Sequence, residues 1–200
     1  MFMMTSTPQH DEQVGYDRAV VRYGRPVVRE PEYRVSPDTC DYWRRVRRKR
    51  RAEVVMVVRT RDGRFVIHTK SFYPNGTYRL MTGGIKLGED LEVAARREAL
   101  EEIGHDVTID RFLAVQHHTF VCGKERLPFT SYLFLMAAED KPLQATDTTE
   151  DIADYRTVPL VGLIKVAEQL EQLAPDWIDW GRYRATAHRL TVEVLTTHGG

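Results

Sequence analysis

Gly83 to His105 reads GGIKLGEDLEVAARREALEEIGH, and the spacing of its charges decides the fold. It places Arg97, Glu98, Glu101 and Glu102 on a predicted helix, entered through a glycine-rich turn that carries Glu89 and terminated by Gly104. Glu98 to Glu101 is an i,i+3 step and Glu98 to Glu102 an i,i+4 step, so the three carboxylates share one helix face. Like charges at that spacing each weaken a helix by roughly 0.2–0.5 kcal/mol. Arg97, i,i+4 from Glu101, offsets part of the repulsion, but one guanidinium does not neutralise three carboxylates. The natural remaining partner is a hard divalent cation, which takes oxygen ligands. An EALEE run by itself is more often a solvated helix face. The glycines before it, Arg97 within it and Gly104 after it turn the reading towards a metal site.

These residues resemble the Nudix hydrolase signature, G-x5-E-x7-R-E-U-x-E-E-x-G-U with U aliphatic. Gly83, Glu89, Arg97, Glu98, Glu101, Glu102 and Gly104 stand at the required positions. Ala99 and His105 depart at the two aliphatic ones; His105 is expected just past the helix end, where a cation suits the dipole. The resemblance implies that Glu98, Glu101 and Glu102 anchor Mg2+ or Mn2+, with Glu89 at the edge of the cluster. It also implies the backbone carbonyl of Thr82 as a further ligand, Arg97 as the group that orients the carboxylates, and Gly83, Gly84 and Arg79 as substrate contacts. In many members a glutamate from a mobile loop late in the chain supplies the general base or another metal contact. Glu150, in Thr148-Thr149-Glu150-Asp151-Ile152, is the best placed here, with Asp151 second and a solvated loop carboxylate as the plain alternative.

Composition agrees with an enzyme that buries one sizeable core: 200 residues, 42% of them hydrophobic. No apolar run approaches a membrane span, so no membrane partner is expected. The start, MFMMTSTPQHDEQ, lacks a basic stretch followed by an apolar one, and the cytoplasm is the expected location. Cys40 and Cys122 are the only cysteines and are read as free thiols.

Formal net charge is zero, yet RRVRRKRR, Arg44 to Arg51, carries seven positive charges and the rest of the chain sums to −7. A solvated or subunit-contacting face leads among the readings of this run, substrate phosphate follows, and nucleic acid comes last. Tyr42 and Trp43 only precede the run, and the missing aromatic interleaving argues against a nucleic-acid partner.

Along the chain, residues 1–12 are polar and expected to be disordered. Residues 13–51 form an N-terminal extension, with Ala19–Val21 and Pro26–Val28 predicted as short hairpin strands. Ser36-Pro37-Asp38 starts a helix that carries the basic run. Residues 52–173 hold the box-bearing domain. Ala52–Thr60 and Arg64–Thr69 are strands joined by Arg61-Asp62-Gly63; long strands near Asp106–Val121 and Phe129–Ala138 follow the carboxylate helix, and Tyr155–Val158 closes the sheet. Pro159 opens an amphipathic helix, and residues 174–200 carry a last one from about Trp177 to Leu195. This order reads as α+β with a mixed sheet between helices. The resemblance implies the same, the α/β/α sandwich of the Nudix fold, and by analogy with its ADP-ribose pyrophosphatase-like branch it implies a homodimer built through the extension.

Other candidates are weaker. His117-His118 with Cys122 has no second pair at zinc-ligand spacing, and strand alternation puts one ring in and one out. Trp177, Trp180 and Tyr183 read as an apolar helix face rather than a base-stacking box, while Tyr73, Phe120 and Phe129 could each stack on a base. The function implied is metal-dependent hydrolysis of the diphosphate linkage of a nucleoside diphosphate joined to another moiety. ADP-ribose or a nucleotide sugar leads, and a modified nucleoside triphosphate follows. The subfamily marks are missing: Leu127–Ser131 only echoes the element of NADH diphosphatases, and no proline stands near Val121 as in ADP-ribose pyrophosphatases. A non-catalytic nucleotide-sensing or nucleic-acid-binding regulator is the alternative from another class; the intact carboxylates and the lack of room for a winged helix speak against it.

Overall fold

Ala52–Arg59 (AEVVMVVR) is apolar on both faces, as a strand covered on both sides must be. In the computed structural model, which describes residues 8–197, it lies inside one eight-stranded mixed sheet. The elements run α1 (Pro8–Tyr23), β1 (Val27–Arg29), β2 (Glu32–Arg34), α2 (Pro37–Lys49), β3 (Ala52–Arg59), β4 (Phe65–Lys70) and β5 (Met81–Gly84). They continue with α3 (Leu91–Ile103), β6 (Val107–Cys122), β7 (Glu125–Ala138), a 3-10 turn (Thr148–Glu150), β8 (Ile152–Val158), α4 (Gly162–Leu170) and α5 (Pro175–Thr197). The sheet order is β1-β6-β7-β3-β4-β8, with β2 continuing β1 along β6 and β5 paired to β3. β3 runs parallel to β7 from Ala52↔Thr130 to Arg59↔Ala137, and antiparallel to β5.

Period-2 alternation along β3 divides the core. Val55 and Val57 face α4 and α5, where Leu163, Val166 and Ala185 meet them. Val54, Met56 and Val58 face the other layer, with Ala94, Ala95 and Ala99 of α3. The small residues of α3 let its backbone lie close on the sheet, so its opposite edge, with the carboxylates, stays near the strand ends. The α/β/α arrangement expected from the box is therefore present.

Several expectations are corrected. Ala19–Val21 is not a strand: it lies within α1, because Tyr16, Ala19, Val20 and Tyr23 fall at helical spacing and pack on the α3 side of the core, while Val21 points to solvent. Residues 8–12, read as part of a disordered tail, are the first turns of that helix; residues 1–7 and 198–200 lie outside the described residues. The predicted hairpin is thereby lost, and β1 and β2 instead pair in parallel with β6, making the extension part of the main sheet. α2 begins as predicted, with the Ser36 side chain capping Thr39 N–H. His105 lies just past the end of α3, as expected; it is buried there, and its Nε2 has no partner.

The cysteines are not free thiols. Trp43 of α2 stacks on Phe120 of β6, with ring centroids 3.9 Å apart, and this packing carries Cys40 to Cys122, to which it is disulfide-bonded across 82 residues. The inference from free thiols to a reducing compartment no longer applies. A crosslink of that span restricts the unfolded chain, and replacing both cysteines by alanine is expected to lower stability by about 3 kcal/mol. Denaturant titration with and without reductant checks this. Reductant should destabilise the parent protein and leave the double variant unmoved; identical curves for all four conditions would remove the crosslink from the folded chain.

Candidate active site

Arg97 gathers the box. Its Nε and one terminal nitrogen grip both oxygens of Glu89, at 2.7 and 2.8 Å, and the other terminal nitrogen reaches Glu98 at 2.7 Å and Glu101 at 3.0 Å. It also donates to the Gly84 carbonyl, tying α3 to the end of β5. Bidentate contact to a carboxylate fixes direction as well as distance. Glu89 additionally accepts the Lys86 N–H at 2.9 Å. Burial pushes Glu89 up, but the Arg97 hydrogen bonds and the Lys86 amide outweigh it and hold the carboxyl below its usual range. Arg97 itself is held firmly protonated, first by its bonds to Glu89.

Glu98 and Glu102 differ in kind. Both are buried, and burial pushes both up. Glu98 is partly relieved by Arg97. Glu102 is wholly enclosed, neither of its oxygens has a hydrogen-bond partner, and its carboxyl is pushed up to about 8. Arg79 and Lys70 oppose that rise; Nζ of Lys70, on β4, lies 4.0 Å from Glu102 and 2.6 Å from Glu150. Sequence reasoning missed Lys70. A lone lysine on a strand carries no motif, and only the pairing of β4 with β8, which follows the Thr148–Glu150 turn, brings it between the two glutamates. Glu150 thus sits with the box, while Asp151, in the left-handed region at φ 54°, turns its carboxylate to Ser71.

Gly83 is required by close approach. A Cβ there would stand 1.9 Å from Cδ of Glu98, so the turn can cover the carboxylate only without a side chain. At Gly84 a Cβ would meet the Arg50 guanidinium at 2.4 Å. Arg79 is buried, and its donors go to the Tyr73 hydroxyl (2.8 Å), the Leu80 carbonyl (2.7 Å) and Thr82 Oγ1 (3.0 Å).

The donor set fits a hard cation: carboxylate oxygens only, two of them buried and orphaned on Glu102. Among the described residues no three metal-ligating side chains already converge on one point, because Arg97 and Lys70 hold the carboxylates. The same charges that balance the acids here would have to yield to an entering ion.

A cavity of about 580 Å³ opens over this cluster, within the range of nucleotide-sized sites. Glu98, Glu150, Thr82 and Gly83 line it, and so do Tyr73, Trp177 and Trp180. Tyr73 packs against Trp180 with ring centroids 4.9 Å apart. Trp177 and Trp180 were expected as an apolar helix face with Tyr183; instead they flank the cavity, and Tyr183 is buried in a separate cluster. Phe120 and Phe129, read as possible base-stacking groups, are core residues under Trp43. His117 and His118 alternate out and in as expected. His118 is a hydrogen-bonded core residue that burial lowers to about 3, so it is neutral. A buried Glu53–Arg184 pair, 2.7 Å apart, backs the cavity wall, and Arg184 lines it. Arg184 was not foreseen.

The NUDIX domain family model matches residues 49–181. The chain belongs to the Nudix family. Human NAD(P)H pyrophosphatase NUDT13, a mitochondrial protein, is 29% identical over 122 residues, 60% of this chain. The match covers 32% of that relative, so the chain spans about a third of its length. Among solved structures, the E. coli dihydroneopterin triphosphate pyrophosphohydrolase superposes with a TM-score of 0.50 at 16% identity, covering 72% of this chain and 97% of that one. A UDP-X diphosphatase does so with 0.50 at 17% identity, covering 74% and 64%. At such identities the Nudix hydrolase shares the fold with these proteins and nothing finer follows. No described helix is long and apolar enough to cross a membrane.

Proposed function

We propose that this Nudix hydrolase is a divalent-metal-dependent diphosphatase of nucleoside diphosphates joined to a second moiety. The observation that carries this is the make-up of the cavity, where Glu98 of the box and Glu150 share one lining with the aromatic group Tyr73, Trp177 and Trp180. A base or other flat ring on the aromatic group sets the diphosphate over the carboxylates.

Glu98, Glu101 and Glu102 would hold Mg2+ or Mn2+, with the Thr82 carbonyl beside them and Glu89 at the edge. A divalent ion bound there withdraws charge from the diphosphate oxygens and makes water a better nucleophile. Arg97 fixes the rotamers of Glu89, Glu98 and Glu101 and remains a positioning residue, since its donors are already committed to them. Arg79 lines the cavity and spends its Nε and one terminal nitrogen on Tyr73, Leu80 and Thr82, so its other terminal nitrogen and the Gly83–Gly84 backbone would meet the phosphates. Glu150 takes a proton from the attacking water, and Lys70 holds its carboxylate towards the site. The new bond is water oxygen to phosphorus and the bond broken is phosphorus to bridging oxygen. Two phosphate monoesters leave, with no covalent enzyme intermediate.

ADP-ribose and nucleotide sugars fit this cavity, and so do dinucleotide coenzymes, in keeping with the likeness to a human NAD(P)H pyrophosphatase. Modified nucleoside triphosphates are the runner-up. A homodimer in the cytoplasm completes the proposal, checked by light scattering and by cell fractionation. A phosphate-release screen over these compounds with Mg2+, coupled to a phosphatase that acts on monoesters, tests the activity. Turnover of diphosphate-linked compounds that stops with chelator is expected. No turnover of any of them would sink the reading.

A further inference from the structure

A second cavity, of about 560 Å³, is lined by the loop that follows Gly84, from Ile85 to Glu89, and by the end of α2. Its lining includes Arg47, Arg48, Lys49, Arg50 and Arg51 from the end of α2, and Lys86 from the loop between β5 and α3. Glu89 is the one acid there, and both of its oxygens are taken by Arg97. On α2, Arg44 pairs with Asp41 and Glu125; the six cavity cations form no ion pair among the described side chains, although Arg50 acts on Glu53 and Lys86 on Glu89 at longer range. Nε of Arg47 is buried and makes no hydrogen bond. Cations suit a helix C-terminus, but that end carries about half an elementary charge, far short of six. The walls between the cations are apolar, Ile85 and Leu91 among them, and low-dielectric walls raise the pull on an anion.

Arg50 lines both cavities, its guanidinium lying against Gly84. Arg50 is thus shared between the cavity over the carboxylates and the basic one, which makes them neighbours. We infer that this cavity is a phosphate subsite for the distal half of the substrate, so that the preferred substrates carry a further phosphate group away from the scissile diphosphate, as a phosphorylated ribose does. This deepens the proposed function and rests on it for the path of the substrate. The choice of phosphate over nucleic acid follows from the lining: six cations beside the reaction centre share the cavity with one aromatic residue, Tyr132, and not with the run of aromatics on which successive bases stack.

Calorimetric binding without divalent metal separates the subsite from turnover. Adenosine 2′,5′-bisphosphate is expected to bind at least about tenfold more tightly than AMP, with the difference shrinking as salt rises. The double variant Arg47→Gln/Arg51→Gln should erase that preference and leave AMP affinity within about twofold; Lys86→Gln, on a different element, should reduce it in the same direction. In turnover, NADPH and NADH differ only by the 2′-phosphate, and kcat/KM should favour NADPH in the parent protein alone. Equal binding of the two nucleotides, or a preference that survives in both variants, overturns the subsite. Sub-micromolar duplex or RNA binding at physiological salt that vanishes in the double variant, with no bisphosphate preference, assigns the cations to nucleic acid instead. A bisphosphate preference with no hydrolysis of any diphosphate would leave the subsite standing and remove the diphosphatase reading; hydrolysis without the preference does the reverse.

Discussion

Glu102→Gln and Glu101→Gln are each expected to abolish most turnover while the protein stays folded. A divalent ion at a phosphoryl centre supplies several kcal/mol of charge stabilisation, and losing about 4 kcal/mol of it slows the reaction roughly a thousandfold. The fold should tolerate the change, since it removes repulsion from a crowded face. Glu102 makes the stronger test because its carboxyl is enclosed and unpartnered. Burial raises it to about 8, above its value in the unfolded chain. Without metal, the folded state then holds a proton that the unfolded state gives up, so the contribution is fully present at pH 4 and is lost as pH rises to about 8. Metal-free Tm of the parent protein should fall over that window, and Glu102→Gln should flatten the fall. Added Mg2+ should raise Tm more at pH 8 than at pH 5, because binding needs the carboxylate deprotonated. Near-parental turnover in the Glu101→Gln/Glu102→Gln double variant would falsify the metal site.

How much of this was legible follows from the range of each interaction. The box is a local pattern: one helix and one turn fix the spacing of Glu89, Arg97, Glu98, Glu101 and Glu102, and the structure gathers those charges on one guanidinium. β3, β4, β6 and β7 were legible because their alternation or continuous apolar runs follow from how a sheet is covered. α1 was not, since Ala19-Val20-Val21 satisfies a strand by residue type and a helix by the spacing of its packed residues; the contacts with α3 decide. Lys70, Arg184 and the two tryptophans joined the site through pairings across 80 residues or more, as with Lys70 and Glu150, that no window of sequence contains. The Cys40–Cys122 bond failed for the same reason: α2 had to be placed on β6 before two isolated cysteines could become neighbours.

Glu150→Gln is expected to lower kcat at least about a hundredfold with little change in KM, in line with the loss of a general base. The loop alone put Glu150 first and Asp151 second. Geometry separates them: Glu150 is 2.6 Å from Lys70 at the cavity wall, whereas Asp151 turns to Ser71 outside it. Asp151→Asn should therefore hold kcat within a few-fold. Lys70 supplies a third variant. Replacing it by methionine removes the charge between Glu102 and Glu150 but no group that touches the water, so it should shift the pH profile of kcat rather than eliminate turnover. The direction is fixed by sign. A cation favours the ionised carboxylates beside it, Glu102 among them, so its loss moves the acid limb of the profile to higher pH. A stability effect alone would lower the amount of active enzyme at every pH and leave that limb in place. Should Glu150→Gln retain kcat within a few-fold while Lys70→Met moves the limb, the proton goes to one of the box carboxylates, and Lys70 acts through Glu102 instead.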